Sequence, residues 1–117
     1  MLECIDHKTD VADCPIRNVL DSLAAKWPLL VIHSLSSGNA MFFGDLKRSI
    51  GDVSPKMLSQ ALKMLVKEEI VVRTVVPDVP PRTLYQLTDY GVTLFKALAP
   101  LMEWAQRHLE RKVTNIL

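Results

Sequence analysis

Five residues between Ser54 and Glu69 have side chains suited to nucleic-acid chemistry. Lys56, Ser59, Gln60, Lys63 and Lys67 recur at spacings of three and four, which places them on one face of a helix. Leu58, Ala61, Leu62 and Leu65 recur at the same spacing on the opposite face. No acid interrupts the polar row before Glu68. Lysine suits phosphate oxygens or guanine edges, glutamine an adenine edge, and serine either. Gln60 and Ser59 are therefore expected to read bases, with Lys56 and Lys63 acting at least partly on phosphates. Ser54 opens this helix as its N-cap, and the free backbone N–H groups there favour a phosphate. Lys47 adds a cation just upstream. From Leu46 to Lys67 there are five cations (Lys47, Arg48, Lys56, Lys63, Lys67) against Asp52 alone.

A lysine-rich helix face taken by itself is usually solvated surface. The run of residues that follows gives this one its meaning, because it reads as a β-hairpin carrying Arg73 and Arg82. A hairpin arginine can enter a minor groove or hold a phosphate. It can equally form a salt bridge that pins the hairpin to the body, with Asp78 or Glu69 as partner. The salt bridge is the expectation for Arg73, nearer the body. For Arg82, beside Pro80-Pro81, both readings stand, and it is counted among the DNA-facing residues.

The remaining reactive side chains are sparse. His7, His33 and His108 are the only histidines, and no Ser, Asp or Glu accompanies them at a catalytic spacing. No glycine-rich phosphate loop or metalloprotease motif occurs. Neither an enzyme nor a cofactor is expected. Cys4, His7 and Cys14 could supply three ligands of a zinc site, but nothing downstream repeats the pattern, so no metal is expected. Cys14 directly precedes Pro15, at a helix start whose dipole favours a thiolate, while Asp13 opposes that effect. It is either a redox-sensing position or an inert small residue. Trp27, Trp104, Met57, Met64 and Met102 could line an effector pocket, although such residues more commonly fill a core.

The elements needed to position these residues follow from periodicity. Residues 1–13 carry Glu3, Asp6, Asp10 and Asp13 against Lys8 and read as an acidic arm. Pro15 opens a first helix with an apolar stripe at Ile16, Val19, Leu20, Leu23 and Ala24. Pro28 starts a second, apolar nearly all round from Leu29 to Leu35, which should lie at the centre of the core. Ala40 to Phe43 is a short extended piece, and Asp45 to Ile50 a brief helix closed by Gly51. Ser54-Pro55 begins the polar-faced helix, which runs to about Glu69. Ile70 to Val76 and Thr83 to Leu87 read as strands joined by a proline-rich tip.

Thr88-Asp89 caps a last helix reaching roughly Lys112, with 113–117 as a tail. That helix bears one apolar stripe at Val92, Phe95, Ala99 and Met102, and a second at Leu94, Leu98, Leu101 and Ala105. One stripe closes a monomer's core, so the second is assigned to a dimer interface. The fold class is mainly α with a small β-hairpin, a winged helix-turn-helix over residues 14–112 that dimerises through terminal helices.

Composition agrees with one soluble domain. The 117 residues are 49% hydrophobic and 23% charged, with a net charge of +1, so any basic surface must be local. No apolar run approaches the roughly 18–20 residues of a membrane span. The acidic N-terminus lacks the basic head of a signal peptide, which points to the cytoplasm and to reduced thiols.

Several segments together resemble the HxlR-type regulators of bacteria, relatives of the MarR winged-helix group. They are Cys14-Pro15, Lys26-Trp27, Phe43 to Arg48, Ser54 to Ser59, Val79 to Arg82 and Tyr85 to Thr88. The resemblance implies a homodimeric transcription factor on a palindromic operator. It also implies that some members sense oxidants or electrophiles at the cysteine before that proline, here Cys14. Pro28 after the tryptophan and the low net basicity depart from the commonest pattern. The competing reading is a winged helix used for protein contacts, which would carry exposed apolar side chains where Lys56, Ser59, Gln60 and Lys63 stand. A thiol enzyme using Cys14 lacks a base.

Overall fold

The computed structural model describes residues 15–116, so the arm, with Cys4, His7 and Cys14, lies outside the described residues. The elements run α1 (Pro15–Asp21), α2 (Lys26–Ser34), β1 (Met41–Phe42), α3 (Phe43–Ile50), α4 (Pro55–Lys67), β2 (Val71–Val76), β3 (Arg82–Leu87) and α5 (Asp89–Ile116). No described helix is long and apolar enough to cross a membrane.

Helix α2 is the hub. Val31, Ile32 and Leu35 are fully buried, and α2 packs on α3, α4 and α5. Leu46 from α3, Leu58, Leu62 and Leu65 from α4, and Ile70 and Val71 complete the core. The helix begins two residues before Pro28, with Ala25 as N-cap. Pro28 is thereby its third residue, where the backbone N–H has no helical partner to lose.

The extended piece at Met41–Phe42 is a true strand. It pairs antiparallel with β3, Met41 opposite Tyr85 and Phe42 opposite Leu84, so the hairpin grows into a three-stranded sheet in the order β1-β3-β2. The Asp45 carboxylate accepts the Phe42 N–H at 3.2 Å, which starts α3 at Phe43, earlier than composition suggests.

The end of α4 is joined to the start of α5 through Ile70. Glu69 adopts φ 63°, which turns the chain out of the helix and lets the Ile70 N–H reach the Leu65 carbonyl at 2.9 Å. The Ile70 carbonyl accepts the Thr88 N–H at 3.0 Å, and the Thr88 hydroxyl donates to the Glu69 carbonyl at 2.6 Å. The same hydroxyl accepts the Gly91 N–H at 2.9 Å, capping α5 as the Thr88-Asp89 pair predicts. Gly91 lies so close that a Cβ there would stand 2.1 Å from the Ile70 carbonyl oxygen.

Helix α5 spans 28 residues, about 42 Å at 1.5 Å per residue, and continues to Ile116 with no tail at 113. Its apolar stripes divide differently from expectation. Leu94 and Leu98, placed by periodicity on the stripe left for a partner, pack with Phe95 against the protein's own core. The reason is positional: the sheet and α2 cover only the first three turns, and there they take the Leu94–Phe95–Leu98 face. Leu101 and Ala105 are exposed, as are Trp104, Leu109 and Val113. Helix α1 stops at Asp21 and buries none of its residues, so Ile16 and Leu20 are also open.

The contact at Gly91 predicts that Gly91→Ala destabilises the fold by about 3 kcal/mol, since a backbone oxygen cannot yield as a side chain does. Thr88→Ala, which loses the cap, should cost about 1–2 kcal/mol. Urea unfolding of both variants checks the order. A Gly91→Ala protein as stable as wild type would contradict the packing.

Candidate nucleic-acid interface

Helix α3, the turn at Gly51 to Ser54 and α4 form the helix-turn-helix. Gly51 takes φ 94° and its N–H donates to the Lys47 carbonyl at 2.9 Å, closing α3. Val53 is buried in the turn and fixes the angle between the helices. Ser54 caps α4 as predicted, its Oγ accepting the Met57 N–H at 3.1 Å, with Pro55 at the first position.

The buried row of α4 is Leu58, Ala61, Leu62 and Leu65. At about 100° per residue, Lys56, Lys63 and Lys67 fall almost diametrically opposite that row. All three are exposed, and among the described residues none takes part in an ion pair. Gln60 is exposed and leans towards α2, bordering a groove with Trp27, Pro28, Met57 and Met64. Ser59 is half-buried on the other flank, towards the sheet. The two residues expected to read bases therefore point to different sides of α4. Gln60 faces the α2 side and Ser59 stands beside the wing. Lys47 is half-buried in the last turn of α3.

Arg82 takes one of the two readings left open for it, the salt bridge with Asp78, while Arg73 departs from expectation. Arg82 stacks on the Phe42 ring, its guanidinium carbon 3.6 Å from the centroid, and lies 3.9 Å from the Asp78 carboxylate. With Leu84 opposite Phe42, Arg82 is the diagonal neighbour across the β1–β3 pair, within reach of a long side chain. It is thus engaged by its own sheet and by Asp78, the salt-bridge reading of the two. Arg73, expected in a salt bridge with Asp78 or Glu69, takes part in none among the described residues. Arg48 is held by Asp45, and Asp52 faces Lys26 at 3.9 Å.

Other side chains considered for chemistry are placed plainly. His33 is exposed at the end of α2, and His108 stacks on Trp104, one helical turn away, with centroids 4.8 Å apart. Trp27 and Met64 pack against the core, whereas Trp104 is solvent-facing. Among the described residues no three His, Cys, Asp or Glu side chains gather where they could hold a metal ion.

Comparison with known proteins agrees with this geometry. The HxlR-like helix-turn-helix family matches residues 22–113. The HTH-type transcriptional regulator YtfH of Escherichia coli (strain K12) is 38% identical over 96 residues, covering 82% of this chain and 75% of that protein. The solved structure of the transcriptional regulator ytfH from Salmonella typhimurium superposes with a TM-score of 0.78 at 32% identity, covering 90% of this chain and 93% of that one. The redox regulator HypR in its oxidised form gives a TM-score of 0.73 at 29% identity, covering 80% of this chain and 96% of that one.

The two flanks of α4 predict distinct losses. Gln60→Ala should cost about 1–3 kcal/mol at the preferred site and relax base preference at one position per half-site. Lys56→Ala should weaken binding to every sequence alike and flatten its salt dependence. Gel shifts on specific and scrambled DNA at two salt concentrations separate these outcomes. Unchanged binding in both variants would contradict the assignment of α4.

Proposed function

The chain belongs to the HxlR-like helix-turn-helix family of transcriptional regulators, and from that premise we propose that it is a homodimer that reads a palindromic DNA operator. One observation carries this reading: the row Lys56, Lys63 and Lys67 on the outermost line of α4, with no acid paired to it among the described residues. Such a row offers phosphates a continuous basic edge while Gln60 reaches the base edges beside it. Polar side chains stand along that row where a protein-docking face would carry apolar ones. The reading is non-enzymatic and cytoplasmic.

The dimer is inferred from surface left uncovered. Leu101 is 60% and Trp104 56% exposed, and Leu109 and Val113 continue the apolar surface along the half of α5 beyond Pro100. Helix α1 adds Ile16 and Leu20. Large apolar side chains left in water in this number favour a two-fold partner that buries them symmetrically. A two-fold axis there would set two copies of α4 about 34–36 Å apart, one turn of DNA.

The likeness to a redox regulator supports a sensing role for Cys14, ahead of α1. Two thiols joined in a disulfide by a thiol oxidant would displace α1 and, through the dimer, the spacing of the reading helices.

Two results are expected. Leu101→Glu combined with Leu109→Glu should give a folded monomer by light scattering that no longer binds the operator, whereas the wild type is a dimer at micromolar concentration. A monomeric wild type overturns the dimer. Diamide should release operator DNA from the wild type but not from Cys14→Ser, and dithiothreitol should restore binding. Identical responses in the two proteins would make Cys14 structural.

A further inference from the structure

A second cleft, of about 230 Å³, lies between α4 and the sheet, lined by Ser59, Leu62, Lys63, Val66, Arg73 and Tyr85. Leu62 and Val66 supply apolar surface, and the other four bring two cations and two hydroxyls with no carboxylate among them. Arg73 and Tyr85 are directly opposed across the β2–β3 pair, so their side chains share one side of the sheet. Tyr85 is only 8% exposed, and its hydroxyl has no hydrogen-bond partner among the described residues. No buried polar side-chain atom there is unsatisfied, so that hydroxyl is open to solvent. Arg48 and Arg82 each hold an aspartate, while Arg73 and Lys63 hold none among the described residues. Two cations brought together over apolar surface without an acid are an arrangement that an anion completes.

We propose that this cleft seats one phosphate of the bound DNA in each half-site. Lys63 and Ser59 would hold it from the reading helix, and Arg73 and Tyr85 from the wing. The proposal rests on the assignment of α4 to DNA and deepens it. The planar guanidinium of Arg73 matches two phosphate oxygens, the ammonium of Lys63 adds a point charge, and both hydroxyls can donate. A phosphate so held ties the sheet to α4 and sets the register of Gln60 on the bases, while carrying no sequence information itself. Arg73, and not Arg82, becomes the wing cation that meets the duplex.

The test is a gel shift on an operator in which single phosphates are replaced, one at a time, by neutral methylphosphonates. Wild type, Arg73→Ala and Arg73→Lys are compared, with circular dichroism to confirm folding. One methylphosphonate position per half-site should weaken the wild type about ten-fold and Arg73→Ala clearly less, by the share that Lys63 still contributes, with Arg73→Lys between. Arg73→Ala should also lower the salt slope by about one unit per half-site without changing base preference. Equal sensitivity of wild type and Arg73→Ala at every position overturns the proposal. Inorganic phosphate provides the second arm, compared with chloride at equal ionic strength. Stronger release of DNA by phosphate, without any position-specific methylphosphonate effect, would assign the cleft to a free anion and overturn it too. A wild type that binds no DNA even at low salt overturns the family-based reading along with it. A wild type that binds, matched by Arg73→Ala in affinity and salt slope, overturns the cleft alone.

Discussion

The backbone of Ile70 holds the molecule's two working parts in one frame. Its N–H closes the end of α4 on Leu65, its carbonyl receives the first N–H of the α5 cap, and its side chain is buried in the core. Thr88 doubles the link through the Glu69 carbonyl, and Gly91 lets α5 approach where any Cβ would collide. Helix α4 and the long terminal helix are therefore tied at one corner through the Ile70 N–H and carbonyl and the Thr88 hydroxyl. A displacement of α5 would be passed to the end of α4 unless these hydrogen bonds break.

The pairing of surface charges bears on how a chain of net charge +1 can present a basic face. Three acids are engaged locally: Asp45 on Arg48, Asp78 on Arg82, Asp52 facing Lys26. These exposed pairs add little to stability, and among the described residues the lysines of α4 and Arg73 take part in no ion pair. The five cations set against Asp52 between Leu46 and Lys67 concentrate the charge on this part of the chain. A field so confined is short-ranged and strongly screened, which suits contacts made only once the duplex is seated.

Much of this was legible in the residues themselves. Ser54-Pro55 and Thr88-Asp89 fix two helix starts because capping is local chemistry, and the Leu58–Leu65 row fixes which side of α4 is buried. The winged helix follows from the order of those elements. What escaped was set by contacts distant in sequence. Met41–Phe42 becomes a paired strand only because β3 lies alongside it. Leu94 and Leu98 join the core because α2 and the sheet happen to cover that half of α5. Arg82 takes the salt-bridge reading, and Phe42, forty residues upstream, adds its ring to that contact. Periodicity sorts a helix into faces; it does not say which face a distant element will claim.

In the proposed dimer α5 and α4 would move as one unit and so fix the distance between the two copies of α4. Affinity measured on a series of palindromes with altered half-site spacing tests it most directly. A rigid corner predicts tight binding with half-site centres one turn apart, about 10–10.5 base pairs, and a fall to the level of non-specific DNA when five base pairs are inserted. Equal affinity at every spacing would mean that the reading helices swing independently of α5, and would contradict the account.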